Sequence, residues 1–206
     1  MEKVNEDRIK NDERFNSVVR YSHIPMRTYQ THRLYNFLDL PGAETAHKAA
    51  LAFISGELPH HFLTFNGKPG RGKTHLAFGI GWHWMENGMG LVLYFQVETL
   101  LDDLRSGYHA RDGEEFYNFD QKMKRVKEVD LLILDDLGVE QSTEWARAKL
   151  DEIVDHRYIN GYKTIFTTNL HPDKLEPRIA SRLKEGVVAV LKSRDYRPTK
   201  AKVREV

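Results

Sequence analysis

The chain reads as an α/β protein, a five-stranded parallel sheet lying between helices. Three observations carry that reading. Short β-runs and helical periods alternate five times from residue 62 onward. One of the runs is apolar throughout, as a strand covered on both faces must be. A Gly-rich turn links the first run to the first helix of the alternation.

Taken in order, Ala46, Ala49, Ala50 and Phe53 recur at helical spacing between Ala43 and Ile54, and Gly56 and Pro59 supply a stop. Phe62 to Phe65 is the first strand. The Gly-rich turn follows, then a helix from Lys73 to Asn87 that Gly88 closes. Leu91 to Val97, rich in branched and aromatic residues, is the second strand, and Glu98 to Arg105 the next helix. Leu131 to Leu134, behind Val129, is the fully apolar strand. Thr143 begins a helix that reaches Ile159, with Gly161 past its end. Thr164 to Thr168 is the fourth strand, Pro172 to Leu183 a further helix and Val187 to Leu191 the fifth strand. Parallel neighbours in such a series are joined by right-handed crossovers. Met1 to Val19 is polar and lacks a clear apolar period. The expected organisation is therefore a polar arm over residues 1–21, a core over 22–191 and a basic tail over 192–206.

Composition narrows the function. The 206 residues carry 31 Lys and Arg against 30 Asp and Glu, a net charge of +1, and no cysteine. Disulfide scaffolds, Cys-ligated zinc and thiol nucleophiles are thereby excluded, and a reducing compartment fits. The N-terminus has no apolar signal region, and no apolar run approaches the ~18 residues of a membrane span. A soluble cytoplasmic protein with no membrane partner is expected. Six cations and two anions between Lys192 and Val206 give that end a local charge of +4, leaving −3 for the remainder. Such a tail suits a phosphate backbone, and equally a solvated terminus.

Gly67-Lys68-Pro69-Gly70-Arg71-Gly72-Lys73-Thr74 satisfies G-x-x-x-x-G-K-[ST] between a strand and a helix. Glycines let the backbone wrap closely around phosphate, consecutive N–H groups point inward, and the helix N-terminus adds positive potential. Gly67, Pro69, Gly70, Arg71, Gly72, Lys73, Thr74 and the following His75 form the candidate phosphate-binding set. Lys73 reaches the β- and γ-phosphates and Thr74 ligates Mg2+. Asp135-Asp136 ends the apolar strand, where carboxylates stand beside a phosphate loop. Asp135 is assigned to the Mg2+ shell and Asp136 to polarising the attacking water. Asn169, closing the fourth strand, is placed to orient that water, though Asn ahead of His171-Pro172 also forms turns. Arg178 and Arg182 lie one helical turn apart on one face. Either serves a neighbouring subunit's γ-phosphate or a surface ion pair.

These segments together resemble a known family. GKPGRGKTHLAFGIG, LLILDDLG, IFTTNL and RIASRL, preceded by SHIPMRTYQTHRLYNF, follow the order and spacing of the AAA+ ATPases of the DnaC/DnaI helicase loaders and the IstB-like transposition helpers. The resemblance covers Ser22 to Leu191. It implies a P-loop NTPase of the AAA+ type without a C-terminal helical lid, which binds ATP and Mg2+ and forms a nucleotide-dependent homo-oligomer. Single-stranded DNA and a replicative helicase are the implied partners. Lys73 and Thr74 then match Walker A, Asp135 and Asp136 Walker B, Asn169 sensor I, and Arg182 the arginine finger with Arg178 beside it. Asp136 stands where most of these ATPases have Glu, which implies slow, switch-like hydrolysis.

DNA contact is expected at Arg105, Tyr108, Lys122, Lys124, Arg125 and Lys127, where cations lie near aromatics; His109 and Arg111 fall in the same stretch. A solvated helix surface would look the same. The expected function is a helicase loader in DNA replication, with an IstB-like transposition helper or a P-loop small-molecule kinase as alternatives. The kinase lacks an evident acceptor site, and a GTPase lacks its Asn-Lys-x-Asp motif.

Overall fold

The structure is a computed structural model that describes residues 13–38, 40–106, 114–138 and 143–196. Strands β1 (Phe62–Asn66), β2 (Val92–Gln96), β3 (Leu131–Asp135), β4 (Lys163–Thr168) and β5 (Val187–Val190) form one parallel sheet, ordered β2-β3-β4-β1-β5. The five-stranded α/β expectation is met. Alternate residues feed two cores: Leu131 and Ile133 face one layer, Leu132 and Leu134 the other. Helices α1 (Glu13–Ser22), α2 (Glu44–Ser55) and α3 (Lys73–Glu86) pack on the first face. Helices α4 (Val97–Ser106), α5 (Glu114–Glu128), α6 (Glu144–Ile159) and α7 (Pro177–Lys184) pack on the second. Among the described residues, no helix is long and apolar enough to cross a membrane.

Strand order positions the site. From β2 the chain steps inward through β3 to β4, then passes over β1 to reach β5, so β1 has neighbours on both sides. The carboxyl ends of β3, β4 and β1 therefore stand side by side, where doubly wound sheets bind ligands.

Two elements differ from the sequence expectation. The last nine residues of the expected arm, with Ser22, form α1, which buries Phe15 and Val19. Two apolar side chains one turn apart make a stripe too narrow to stand out as a period. The expected helix from Pro172 is broken, with a 3-10 turn at Pro172–Lys174 and α7 starting at Pro177. Glu176 is extended, as a residue before proline must be. Its Oε2 accepts from the backbone N–H groups of Arg178 (2.8 Å) and Ile179 (3.0 Å) and so caps the helix.

The segment between α1 and α2 lies across α3. A Cβ on Gly79 would meet Leu34 Cδ2 at 2.8 Å, and one on Gly81 would meet Ile24 Cδ1 at 2.6 Å, so these glycines permit the close approach. Trp82 Nε1 donates to Thr28 Oγ1 (3.1 Å), and the largely buried Arg33–Glu86 ion pair ties the segment down. Tyr29 donates to Glu86 Oε1 (2.7 Å), and burial with that bond pushes its phenol up to about 12.

Asp151 on α6 faces the capping Glu176, and burial followed by the Glu176 charge raises its carboxyl to about 6. A carboxyl raised in the native state holds its proton more tightly than the unfolded chain does. Its contribution to stability is present at low pH and is lost as pH rises from about 4 through 6. Asp151→Asn is therefore expected to melt above the parent chain at about pH 7.5, the gap closing near pH 4. Thermal unfolding followed by circular dichroism checks this, and identical melting of the two chains at both pH values would show that the Asp151 carboxyl is not raised.

Candidate functional site

The G-x-x-x-x-G-K-T segment turns from β1 into α3 with positive φ at Gly67 (156°), Gly70 (76°) and Gly72 (92°). A Cβ on Gly67 would meet the Leu191 carbonyl oxygen at 2.6 Å, and one on Gly72 would meet Phe37 Cε2 at 2.8 Å. Conformation and space both demand glycine there. The buried Lys73 ammonium donates to the carbonyls of Gly67 (2.8 Å) and Lys68 (3.1 Å) and to Asn169 Oδ1 (2.6 Å). Asn169 in turn donates from Nδ2 to Asp136 Oδ1 at 3.4 Å. One amide thus spans the lysine of the loop and the carboxylate after β3.

Asp135 is 2% exposed. Thr74 Oγ1 donates to its Oδ1 and Oδ2 at 3.0 and 3.2 Å, Thr167 Oγ1 donates to Oδ1 at 2.5 Å and Tyr94 to Oδ2 at 3.0 Å. Burial pushes the carboxyl above its usual range, the Asp136 charge adds to this, and the three hydroxyl bonds oppose it. Burial and the nearby Asp135 carboxylate push the Tyr94 phenol far up, so it remains a donor. Asp136 has φ 57°, and its N–H donates to Thr167 Oγ1 at 3.0 Å.

A cavity of about 320 Å³ opens over these groups. Pro69, Gly70, Arg71, Gly72, Lys73, Thr74 and His75 line it together with Asp136 and Asn169, whereas Gly67 and Asp135 of the expected set do not. His32, Phe37 and Tyr196, which sequence reasoning did not single out, line it as well. Their rings form a cluster with His75, at centroid distances of 4.9 Å (His32–His75), 5.3 Å (Phe37–His75) and 5.7 Å (Phe37–Tyr196). His75 Nε2 donates to the Arg33 carbonyl (3.0 Å), Tyr196 N–H to the Gly70 carbonyl (2.9 Å) and the Tyr196 hydroxyl to the Leu38 carbonyl. Arg71 Nη1 donates to the Leu191 carbonyl (2.9 Å). The density of aromatic residues in HRLYNF was the available signal for Phe37.

The arginines stand elsewhere. Arg182 lines a groove with His61, Phe62 and Gly186, at the start of β1 rather than its loop end. Five residues of strand separate the two edges by roughly 16 Å. Arg182 Nε donates to Asp155 Oδ1 (3.0 Å), Nη1 to Glu185 Oε1 (3.4 Å), and its guanidinium stacks 4.3 Å from the Tyr158 ring centre. Arg178 is exposed on the first turn of α7.

The expected DNA-contact residues do not form one cationic face. Lys122 pairs with Asp103 (2.6 Å) and Lys127 with Glu152 (2.5 Å). Arg125 stacks 3.6 Å above the Tyr21 ring and donates from Nη2 to the Tyr21 carbonyl (3.0 Å). Arg105 lies 4.9 Å over Trp145 and donates to Thr143. Lys124 is exposed. Tyr108, His109, Arg111 and the tail beyond Tyr196 lie outside the described residues.

A phosphate loop after β1, an interior strand of a β2-β3-β4-β1-β5 parallel sheet, with acidic residues closing β3, defines a P-loop domain of the AAA+ class. A solved structure of the DnaC helicase loader shares this fold at 26% identity and a TM-score of 0.68, over 82% of this chain and all of that one. Residues 2–177 match the family described as IstB-like ATP binding protein, and the chain belongs to that family. The uncharacterised protein YdaV of Escherichia coli K12 is 31% identical over 122 residues, which cover 59% of this chain and 46% of YdaV. The replicative helicase loader DnaC of Buchnera aphidicola subsp. Baizongia pistaciae is 30% identical over 126 residues, 58% of this chain and 50% of that loader. The chain thus spans about half the length of these curated relatives.

Arg125 carries a structural load in holding α1. Arg125→Ala is expected to cost about 1–3 kcal/mol, through loss of a stacked cation and a charged hydrogen bond to a carbonyl. Urea unfolding measures it, and an unchanged midpoint would show α1 to be held without Arg125.

Proposed function

We propose that this chain is a nucleotide-dependent switch of the helicase-loader kind, which binds ATP with Mg2+, hydrolyses it slowly and acts on single-stranded DNA with a replicative helicase. The observation that carries the reading is the meeting of Lys73, Thr74, Asp135, Asp136 and Asn169 from three adjacent strand ends. The loop N–H groups and the N-terminus of α3 hold the polyphosphate, and Lys73 turns from its carbonyl partners to the β- and γ-oxygens. The Thr74 hydroxyl and Asp135 carboxylate are the hard oxygen donors that fit Mg2+, which when bound neutralises charge developing on the phosphates. Asp136 polarises the attacking water and Asn169 orients it. A carboxylate one methylene shorter than glutamate supports slow turnover. The rings of Phe37, His75 and Tyr196 offer stacking surfaces for the base.

The position of Arg182, a strand's length from its own loop, supports action on a neighbouring copy's γ-phosphate and hence a nucleotide-dependent homo-oligomer. Arg178 serves beside it. Exposed Lys124 and the basic tail are our choice for the DNA contact, and DNA as substrate puts the protein in the cytoplasm. DnaC among the relatives supports the loader role. The family match favours a second reading, an IstB-like helper of transposition, which shares the nucleotide chemistry and differs in its partner. Capture of partners from the native host with ATP present separates the two.

Lys73→Ala is expected to weaken ATP binding about 100-fold or more, since it removes the charged donor aimed at the β/γ-phosphates. Calorimetry decides, and unchanged affinity would overturn the site. Arg182→Ala is expected to bind ATP normally yet lose hydrolysis. Mixing it with Lys73→Ala should restore part of the activity, because some contacts then unite an intact pocket with an intact arginine. With both variants folded and associating, no recovery at any ratio would rule out action between subunits.

A further inference from the structure

Asp135 is held by more than the P-loop motif requires. Thr74 Oγ1 lies almost equidistant from its two oxygens, at 3.0 and 3.2 Å, so the open side of the carboxylate faces that hydroxyl. On the flanks, Thr167 donates to Oδ1 and Tyr94 to Oδ2, one hydroxyl to each oxygen, which leaves the carboxylate plane no freedom to turn. Neither Asp135 nor its flanking residues line the nucleotide cavity, which Asp135 adjoins through Thr74. Thr167 is 0% exposed, and the Tyr94 ring packs edge-on to Phe78 at 4.7 Å. The Thr167 hydroxyl also accepts from the Asp136 N–H (3.0 Å), so one oxygen registers both acidic residues.

We propose that Tyr94 and Thr167 are positioning residues for the divalent cation of this site, fixing the Asp135 carboxylate so that it and Thr74 present their oxygens to one point. The inference rests on the nucleotide-site reading above. Mg2+ tolerates little departure from octahedral geometry, so a carboxylate free to rotate binds it less well. Partners that orient a ligating carboxylate are commonly worth 10–100-fold in metal affinity. A role confined to satisfying a buried charge would lower stability and leave the cation requirement unchanged.

The test is binding of a non-hydrolysable ATP analogue, measured by calorimetry across a Mg2+ titration and again in EDTA, for the parent chain, Tyr94→Phe, Thr167→Val and Thr167→Ser. The expected result is that Tyr94→Phe and Thr167→Val raise the half-saturating Mg2+ concentration about 10-fold. Affinity in EDTA should stay within about twofold of the parent, and Thr167→Ser, which keeps the hydroxyl, should behave as the parent does. Tyr94→Phe retains the ring against Phe78 and carries the test alone if Thr167→Val does not fold. If the parent shows Mg2+ dependence and the folded variants match it, or if they lose affinity equally in EDTA, the inference is overturned. If the parent itself shows no Mg2+ dependence, the reading of the site fails with it.

Discussion

A carboxylate buried at the end of a central strand costs free energy unless donors surround it, and much of this fold answers that requirement at Asp135. The register explains how. Tyr94 lies opposite Ile133, two residues before Asp135 on the same face of the sheet, and Phe166 lies opposite Leu134, which brings Thr167 level with the acid. A strand on each side therefore supplies one hydroxyl, and α3 supplies the third through Thr74. Were β3 an edge strand, one of these donors would be missing. The placement of β2 outside β3 is thus part of the site as well as of the sheet.

What the sequence made legible follows from locality. The glycine loop is spelled out in eight consecutive residues, and Leu131–Leu134 is apolar throughout because both its faces are covered. Asp135, Asp136 and Asn169 stand at strand ends, where a parallel sheet binds its ligand, and the structure bonds Asp135 to Thr74 and Asn169 to both Lys73 and Asp136. Tyr94 and Thr167 were not legible, since tyrosine and threonine are ordinary strand residues and only the pairing of distant strands aims their hydroxyls. Phe37 and Tyr196 come from opposite ends of the described chain. The cap at Glu176-Pro177 was readable in principle, because proline favours the first helical position.

Charge was the least local signal. The run from Lys122 to Lys127 looks like a nucleic-acid surface in one dimension, yet Asp103 and Glu152 on the flanking helices meet two of its lysines, and Arg125 turns inward to Tyr21. A helix packed between two others has its cations answered by whatever acids those neighbours carry. Arg157 is answered differently in the core: fully buried, it donates to the carbonyls of Val126, Lys127 and Lys163 and to Thr164 Oγ1, so the guanidinium joins the end of α5 to β4.

The rim of the nucleotide cavity is stitched through Tyr196, whose N–H is held by Gly70 of the phosphate loop and whose hydroxyl is held by Leu38. Three stretches far apart in the sequence are thereby joined by two hydrogen bonds at one residue. The phosphate loop and the segment ahead of α2 therefore share one anchor, the buried Tyr196.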